Sequence, residues 1–323
     1  MSESTSDTSS QPTMRAISQD ELGGPEVLHE VQLPIPKPGP SQILVRVHAA
    51  GMNPTDWKHR GHRAFLPAPP FVLGWDVSGV VEQVGVGVTL FEPGDEVFGM
   101  LPYPFGVGAH AEYALAPTRA FVPKPKDIDH VQAAAIPLAA LTAWQALVDT
   151  AEEGEGDRVL IHAAAGGVGH LAVQIAKARG AHVIGTASAP KHDFVRGLGA
   201  DEMIDYREVD FAETAHDIDI VLDTIGGEYQ PRSLQTMKSG GILVSTIPIP
   251  MEGMAERAAA QGMRIENILV EADHAGMLAI AELVESGQLS ATIANTFPLA
   301  DAAAAHEQLQ TNRTAGKLVL TVV

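Results

Sequence analysis

A run of small residues between Ala164 and Gly169 separates two segments of different character. The preceding segment, Arg158-Val-Leu-Ile-His162, is typical of a strand, and Leu171–Arg179 has helical spacing. The pattern Ala164-x-Gly166-x-x-Gly169 therefore lies at a strand-to-helix turn, where a Rossmann fold binds the pyrophosphate of a dinucleotide. Small residues let the backbone approach the phosphates, and the unpaired amides at the helix start bind them. A glycine-rich connector without a ligand is the alternative, and the strand before the turn and the helix and further strand after it disfavour it.

The segment after the second predicted strand indicates which dinucleotide is bound. An NAD site has an acidic residue about twenty positions past the glycines, where it binds the ribose 2′-hydroxyl. Here residues 185–192 contain no carboxylate. Ser188 can donate to a 2′-phosphate and Lys191 can neutralise it, and Tyr206 and Arg207 could close the same pocket. Lys191 alone is equally well explained as a solvated lysine, but together these residues favour NADPH.

The composition restricts the possible functions. The chain has 323 residues, which suggests about two domains. Its 40 acidic and 21 basic residues give a net charge of −19, which disfavours nucleic acid as a partner. The absence of cysteine excludes disulfides, thiolate metal sites and cysteine nucleophiles. Because the sequence has neither a bilayer-spanning apolar run nor a secretion signal, we expect a cytoplasmic protein without a membrane partner.

The predicted elements change character near residue 127. Residues 14–126 contain short β-like runs interrupted by proline and glycine, as in a compact, irregular β domain. Strands and helices then alternate, which predicts βαβ units and a parallel sheet over residues 127–267. Residues 268–323, which contain the final strand, are expected to return to the first domain and to form it together with residues 14–126. Residues 1–13 are polar and small, and a disordered tail is predicted there.

Several further motifs occur in order along the chain. They are Gly51–Trp57 (GMNPTDW), Leu73–Gly79 (LGWDVSG), Phe91–Gly99 (FEPGDEVFG), Ile136–Trp144 (IPLAALTAW) and Leu198–Tyr206 (LGADEMIDY). With the glycine turn, and over nearly the whole chain from Met14, they resemble the zinc-free quinone oxidoreductase and enone reductase branch of the medium-chain dehydrogenase/reductase superfamily. The resemblance implies an α/β fold in which a GroES-like β domain flanks a doubly wound Rossmann domain. It also implies an active site in the cleft between the domains, and a homodimer.

The resemblance assigns residues to the cofactor site. Asn53 matches an asparagine near the nicotinamide and the substrate, and it is the predicted catalytic residue. Thr142 matches a threonine at the nicotinamide, and Arg313 is expected to approach the 2′-phosphate. The complete predicted cofactor site consists of Asn53, Thr142, Ala165, Gly166, Gly167, Val168, Gly169, Ser188, Lys191, Tyr206, Thr224, Gly226, Thr246, Ile247 and Arg313.

The same resemblance argues against a metal. Zinc-dependent relatives place Cys, then His-Glu, then Cys or Asp at three positions where this chain has Asn53, Trp75-Asp76 and Leu138. We therefore predict no catalytic zinc. His59 and His62, three residues apart, could suggest a surface metal site, but an exposed polar helix or loop explains them as well.

The predicted absence of a catalytic metal narrows the class of hydride acceptor. Hydride addition to an isolated ketone produces a localised alkoxide that zinc would stabilise. Addition to a quinone or an α,β-unsaturated carbonyl produces a delocalised anion that hydrogen-bond donors can stabilise. The sequence thus predicts an NADPH-dependent reductase of conjugated acceptors, with Asn53 orienting the cofactor or binding the substrate carbonyl.

Aromatic residues are the candidates for the substrate pocket. They are Trp57, Trp75, Tyr103 and Phe105, with core packing an equal alternative for Trp75. The proton would come from solvent or from a phenol such as Tyr103. Two other functions stay open: a zinc-free ketone or alcohol reductase of a biosynthetic pathway, and an NADPH-binding protein without turnover.

Overall fold

The computed structural model describes residues 11–247 and 251–323. Residues 1–10, most of the predicted disordered tail, lie outside the described residues. The predicted tail also included residues 11–13, but the Ile35 amide donates to the Pro12 carbonyl at 3.0 Å and the first strand begins at Thr13.

Strands and helices alternate in the second half of the chain, whereas strands predominate in the first. The strands of the described residues are β1 (Thr13–Gln19), β2 (His29–Pro34), β3 (Gln42–Met52), β4 (Phe71–Val72), β5 (Asp76–Val84), β6 (Glu96–Met100), β7 (Tyr113–Pro117), β8 (Phe121–Pro123), β9 (Arg158–Ile161), β10 (His182–Ala187), β11 (Glu202–Asp205), β12 (Ile218–Asp223), β13 (Met237–Ser245), β14 (Arg264–Asn267), β15 (Ile293–Pro298) and β16 (Lys317–Thr321). The α-helices are α1 (Pro54–Gly61), α2 (His130–Ala134), α3 (Pro137–Trp144), α4 (Gly169–Ala178), α5 (His192–Gly197), α6 (Phe211–Thr214), α7 (Tyr229–Ser233), α8 (Met254–Ala259), α9 (His274–Glu285) and α10 (Ala302–Gln310). Within the part of the chain that the structure describes, no helix is both long and apolar enough to cross a membrane.

Strands from both ends of the chain form the first domain. A seven-stranded sheet has the order β15-β16-β3-β5-β6-β8, with β7 also paired to β3, and a smaller sheet has the order β2-β1-β4. β16 runs antiparallel to β3 and pairs Leu318 with Met52. This pairing brings the start of β16 next to the end of β3, which leads directly into Asn53 and α1.

Six parallel strands form the sheet of the second domain. Their order is β11-β10-β9-β12-β13-β14, which is the doubly wound order 3-2-1-4-5-6. The order in which successive strands are added to the sheet reverses between β9 and β12. A crevice forms at the carboxyl ends of these two strands, and dinucleotides bind at such a point in open α/β sheets. The predicted α/β fold class is confirmed.

The two domains share a continuous hydrophobic core. One cluster of buried residues includes Trp75 of the first domain, Leu141 of α3 and Val159 of the Rossmann sheet. Residues 131–148 are alanine-rich and have helical spacing, but they do not form one continuous helix, since α2 ends before Pro137 and a π-helical turn follows α3. Proline lacks the amide that would continue the α2 hydrogen-bond ladder and instead suits the first turn of α3. The short helices can therefore change direction, and α3 packs between the domains.

Candidate active site

The glycine-rich turn lies at the carboxyl end of β9, beside the point where the strand order reverses. Ala163 has φ of +50°, the Gly166 amide donates to the Ala163 carbonyl at 2.8 Å, and α4 begins at Gly169. A Cβ atom on Gly169 would lie 2.8 Å from the Ala164 Cα, closer than real Cβ atoms come. Glycine is therefore required where the helix packs on the turn. The turn and the amino end of the ten-residue α4 fit the pyrophosphate of a dinucleotide.

The residues predicted to contact the 2′-phosphate lie around the end of β10. Ser188 directly follows this strand and is largely buried, and the Lys191 backbone amide donates to its carbonyl. The Lys191 ammonium donates to the Arg313 carbonyl at 3.0 Å, so the carboxyl-terminal segment lies beside the same loop. Tyr206 is 44% exposed after β11, with the Arg207 guanidinium 5.7 Å from its ring centre. This arrangement could hold a phosphate.

One acidic residue near this loop was not considered in the sequence interpretation. The Asp205 carboxylate accepts a hydrogen bond from the Ala189 amide at 2.8 Å and another from the Arg207 amide at 3.0 Å. The hydrogen bond from Arg207 is the main cause that lowers the pKa of Asp205, so this carboxylate is ionised at neutral pH. Both hydrogen bonds to the Asp205 carboxylate come from backbone amides, so Asp205 stabilises the conformation of this loop.

Asn53 occupies the start of α1, and its side chain belongs to a buried network. Its amide nitrogen Nδ2 donates to Asp76 Oδ2 at 2.8 Å, and its oxygen Oδ1 accepts from the Lys317 ammonium. Asp76 Oδ1 accepts from the Leu138 amide at 2.7 Å. Asp56, which follows within α1, accepts from the Asn53 backbone amide at 2.6 Å and so forms a capping box. The three positions matched to zinc ligands are thus adjacent in space and bonded to one another.

Three ionisable groups of this network are almost completely buried. Burial raises the pKa of Asp56 to about 8, so this carboxyl is mostly protonated at pH 7. Burial also raises the pKa of Asp76, but the Lys317 ammonium 3.6 Å away and the bonds from Asn53 and Leu138 oppose this change. Burial lowers the pKa of Lys317, and Asp76 opposes that change as well. Since a lone buried charge is costly, we describe Asp76 and Lys317 as an ion pair.

Lys317 also contacts the glycine turn. Its Cδ lies 3.4 Å from where a Cβ on Gly167 would be, and the neighbouring Gly316 amide donates to the Ala165 carbonyl at 3.0 Å. The sequence interpretation missed this residue. A lysine that begins an apolar strand has no local signal that separates it from a solvated strand end, so only the fold reveals its position.

A histidine of α4 links the same turn to the first domain. His170 Nδ1 lies 2.8 Å from the Gly166 carbonyl, and the Thr292 amide donates to His170 Nε2 at 3.2 Å. Nε2 must therefore be unprotonated and Nδ1 must carry the hydrogen. Burial lowers the pKa of His170 to about 4, which agrees with this neutral form. Thr142, on α3, donates to the Leu138 carbonyl at 2.7 Å and so lies one helical turn from the Asn53 network.

The aromatic residues predicted for the substrate pocket separate into different environments. Trp75 is 0% exposed, which favours core packing, the alternative left open for it, and its ring centre lies 5.2 Å from that of Tyr103. Tyr103 is half-buried and accepts from the Thr55 hydroxyl at 3.1 Å. Trp57 is partly buried, whereas Phe105 is 73% exposed.

The histidines of α1 do not form the exposed pair that the sequence suggested. His59 is buried against Trp75, and its Nδ1 lies 2.9 Å from the Thr55 carbonyl. Among the described residues no group of three or more His, Cys, Asp or Glu side chains could hold a metal ion.

The residues after the later strands surround a buried carboxylate. Asp223, at the end of β12, accepts from the Gly226 amide at 2.8 Å through Oδ1 and from the Ser245 hydroxyl at 2.9 Å through Oδ2. The Thr246 amide donates to the Asp223 carbonyl at 2.9 Å, and the Thr224 hydroxyl donates to the His162 carbonyl at 3.1 Å. Asp223 therefore shapes the two loops that carry Thr224, Gly226, Thr246 and Ile247, and it was not among the predicted residues.

Comparison with known proteins identifies two matching family models. The model described as alcohol dehydrogenase GroES-like domain matches residues 39–126, and the model described as zinc-binding dehydrogenase matches residues 198–320. The second range contains none of the positions matched to catalytic zinc ligands.

Relatives and solved structures cover almost the whole chain. A 2-haloacrylate reductase of a Burkholderia species is 35% identical, over 92% of this chain and 96% of the relative. A quinone oxidoreductase of Homo sapiens is 34% identical, over 96% and 98%. The quinone oxidoreductase structure from Coxiella burnetii aligns with a TM-score of 0.91 at 38% identity, over 97% of this chain and 100% of that chain. The Escherichia coli quinone oxidoreductase complexed with NADPH aligns at 0.86 and 29% identity, over 95% and 100%.

The fold and the site together define a nicotinamide-dependent oxidoreductase with a GroES-like domain beside a dinucleotide-binding sheet. The chain belongs to the medium-chain dehydrogenase/reductase superfamily, in its zinc-free quinone oxidoreductase branch. The predicted family is therefore confirmed, and a small molecule is the class of substrate.

Proposed function

We propose that this protein is an NADPH-dependent, zinc-independent reductase of quinones or α,β-unsaturated carbonyl compounds. One observation carries the proposal. The three positions matched to zinc ligands of metal-dependent relatives are Asn53, Trp75-Asp76 and Leu138 here, and hydrogen bonds link Asp76 both to Asn53 and to the Leu138 amide. Asn53 Oδ1 and Asp76 Oδ2 also contact the Lys317 ammonium, so these oxygen atoms already have a cationic partner from the chain itself.

The residues of the chain have separate tasks in this reaction. The backbone of Ala165, Gly166 and Gly167 and the amino end of α4 bind the pyrophosphate, and Ser188 and Lys191 bind the 2′-phosphate. When bound there, the reduced nicotinamide supplies the hydride. Asn53 and Thr142 orient the nicotinamide and the acceptor carbonyl relative to each other, and such orientation supplies much of the rate.

The acceptor must stabilise its own developing charge. Without a Lewis acid, the negative charge on an isolated alkoxide would have only hydrogen-bond donors to stabilise it, whereas a quinone or enone delocalises that charge. The names of the relatives agree with such acceptors, since a quinone and a 2-haloacrylate both have a carbon–carbon double bond conjugated to a carbonyl group.

Solvent or Tyr103 supplies the proton that completes the reduction. Burial raises the pKa of Tyr103, so its phenol stays protonated at neutral pH and gives up the proton only to a strongly basic anion such as an enolate. The hydroxyl of Thr55 contacts this phenol and could orient it.

An assay with conjugated and unconjugated acceptors would test the proposed function. Purified protein is assayed with NADPH and with NADH against a quinone, an enone, a saturated ketone and an aldehyde, with and without a metal chelator. We expect chelator-insensitive NADPH oxidation with the quinone or the enone only. Turnover confined to saturated ketones would instead identify a ketone reductase. Tight NADPH binding without turnover of any acceptor would identify a non-catalytic NADPH-binding protein, and activity that requires stoichiometric zinc would refute zinc independence.

A cytoplasmic homodimer is part of the same proposal. β14 is the last strand of the six-stranded sheet and pairs only with β13 among the described strands, so its outer edge can pair with a second copy. Light scattering would then give about twice the chain mass of 34.0 kDa.

A further inference from the structure

The Asn53 carboxamide lies between a group that can only donate hydrogen bonds and a group that accepts them. The Lys317 ammonium contacts Oδ1, and the Asp76 carboxylate contacts Nδ2 at 2.8 Å. An ammonium has no acceptor and an ionised carboxylate has no donor. Rotation of the carboxamide by 180° would place N–H against ammonium and C=O against carboxylate, so this environment permits one orientation only.

Each member of this network is held by a different element. Asn53 caps α1, Asp76 begins β5 and receives the Leu138 amide of α3, and Lys317 begins β16. Side chains of the three polar residues are between 0% and 3% exposed, so water does not compete for their bonds. The orientation of Asn53 therefore depends on the packing of four elements rather than on its own helix.

The ammonium also joins this network to the cofactor turn. The Lys317 side chain packs against Gly167, and the preceding Gly316 amide donates to the Ala165 carbonyl at 3.0 Å. The Lys317 amide donates to the Thr292 carbonyl at 2.8 Å, and the Thr292 amide in turn binds His170 of α4. A displacement of the turn would consequently move the group that holds Asn53.

We propose that Lys317 and Asp76 are positioning residues that hold the Asn53 carboxamide in one orientation. The Nδ2 hydrogen and the Oδ1 lone pair that this network does not use then keep a constant direction relative to the cofactor turn. This inference rests on the proposed function, because it assigns Asn53 to the reacting groups. It adds that Asn53 acts only while an ammonium and a carboxylate flank it.

A double-mutant cycle on kcat tests whether Lys317 acts through Asn53. Because Lys317→Met alone leaves the Asp76 charge buried and unpaired, the cycle uses the charge-balanced variant Lys317→Met/Asp76→Asn. We expect this variant and Asn53→Ala each to lower kcat by about tenfold or more, as lost orientation does. The triple variant should be no slower than Asn53→Ala. Asn295→Ala, at an exposed asparagine, is the matched control and should leave kcat unchanged.

The unfolding midpoint separates positioning from a merely structural role. If the charge-balanced variant unfolds at the wild-type denaturant concentration and its kcat is also of wild-type size, Lys317 only balances the Asp76 charge and the inference fails. Additive losses of kcat in the triple variant would also overturn it, because Lys317 would then act independently of Asn53.

A second measurement does not depend on turnover. The chain has four asparagines, so protein labelled with ¹⁵N-asparagine gives few side-chain amide signals. We expect the Asn53 pair to be sharp and slow to exchange with solvent, and to broaden or exchange faster in the charge-balanced variant. An unchanged Asn53 signal overturns the inference, whereas absence of NADPH-dependent turnover in the wild-type protein overturns only the proposed function.

Discussion

The residues around the end of β10 are those on which the proposed choice between NADPH and NADH depends. Ser188 is largely buried, and Lys191 is half-exposed. The Lys191 ammonium donates a hydrogen bond to the Arg313 carbonyl. No carboxylate occurs within residues 185–192, where an NAD site would place one, and the neighbouring Asp205 bonds to backbone amides. The proposed preference for NADPH thus rests on a few side chains around one loop.

The variant Ser188→Asp/Lys191→Ala should reverse this preference. It introduces repulsion and removes a charge-assisted contact with the 2′-phosphate, and such contacts contribute roughly 1.5–3 kcal/mol each. We expect the Kd of NADPH to rise about a hundredfold, while the Kd of NADH changes by less than about threefold. Fluorescence titration with both cofactors measures the two constants.

Lys37→Ala is the control for this variant, since it removes one exposed lysine from the other domain. It should leave both constants unchanged. Equal weakening of NADPH and NADH binding by the double variant would show that these side chains do not contact the 2′-phosphate.

At the turn between β9 and α4, the position of the helix depends on one close contact between backbone atoms. Gly169 begins α4 directly above Ala164, and no side chain fits between them. Backbone amides can therefore approach the pyrophosphate only while the helix stays this close to the turn. The residue at which α4 begins is therefore part of the proposed binding site.

Gly169→Ala should weaken cofactor binding and lower stability together. Its Cβ would lie 2.8 Å from the Ala164 Cα, so the helix or the turn must move. Such overpacking typically costs about 1–3 kcal/mol of unfolding free energy. We expect the Kd of NADPH to rise by about tenfold or more, which corresponds to about 1.4 kcal/mol. Urea unfolding and fluorescence titration measure both effects.

Gly197→Ala provides a matched comparison in the same domain. Gly197 is the last residue of α5, and a Cβ there would have no heavy atom within 4 Å. Alanine favours a helix over glycine by about 1 kcal/mol, so this variant should be as stable as the wild type or slightly more stable. If Gly169→Ala behaved like Gly197→Ala, the close approach of helix and turn would not matter.

Folding buries several ionisable groups throughout the molecule. Because their pKa values then differ between the folded and unfolded states, the unfolding free energy depends on pH. Burial lowers the pKa values of four histidines to about 4, and raises that of Glu153 to about 7 and that of Asp56 to about 8. The histidines are His110, His130, His162 and His170. Unfolded histidine has a pKa of about 6.5, whereas unfolded Asp and Glu have pKa values of about 4.

We expect the unfolding free energy to be highest near pH 6.5. Between about pH 6.5 and 4 the unfolded histidines bind protons that the folded ones do not, so stability falls on acidification. The two carboxyls act in the opposite direction, because the folded protein holds their protons up to about pH 7 or 8, but the histidines outnumber them. Above about pH 6.5 only the carboxyl effect remains, and stability falls as the pH rises. Urea unfolding between pH 5 and 8.5 measures this profile.

The variant His110→Leu measures how much one histidine contributes to the loss of unfolding free energy below pH 6.5. Both ring nitrogens of His110 are buried without a hydrogen-bond partner among the described residues, so leucine loses no bond there. The variant should lose less stability than the wild type between pH 6.5 and 5, whereas His216→Leu, at an exposed histidine, should keep the wild-type slope. A His110→Leu profile parallel to that of the wild type would contradict this explanation.

Local patterns allowed much of the fold to be predicted from the sequence. The glycine turn, the alternating strands and helices of the second domain and the family motifs are short-range signals, because turn chemistry and hydrophobic periodicity act over a few residues. They led to the correct α/β fold class and family. The burial of α1 and α10 was not predicted, since His59, Arg60 and His306 are polar residues that become buried only against other elements.

The amino-acid sequence alone thus determined the dinucleotide-binding turn, the absence of a carboxylate after β10 and the absence of the usual zinc ligands. Only the tertiary structure decided that Trp75 belongs to the core, that Asp56 is buried and that Lys317 binds Asn53. Lys317 and Asn53 are 264 positions apart, and β16 must pair with β3 before they can meet. No local pattern encodes such a contact, because its geometry is a consequence of how both domains pack.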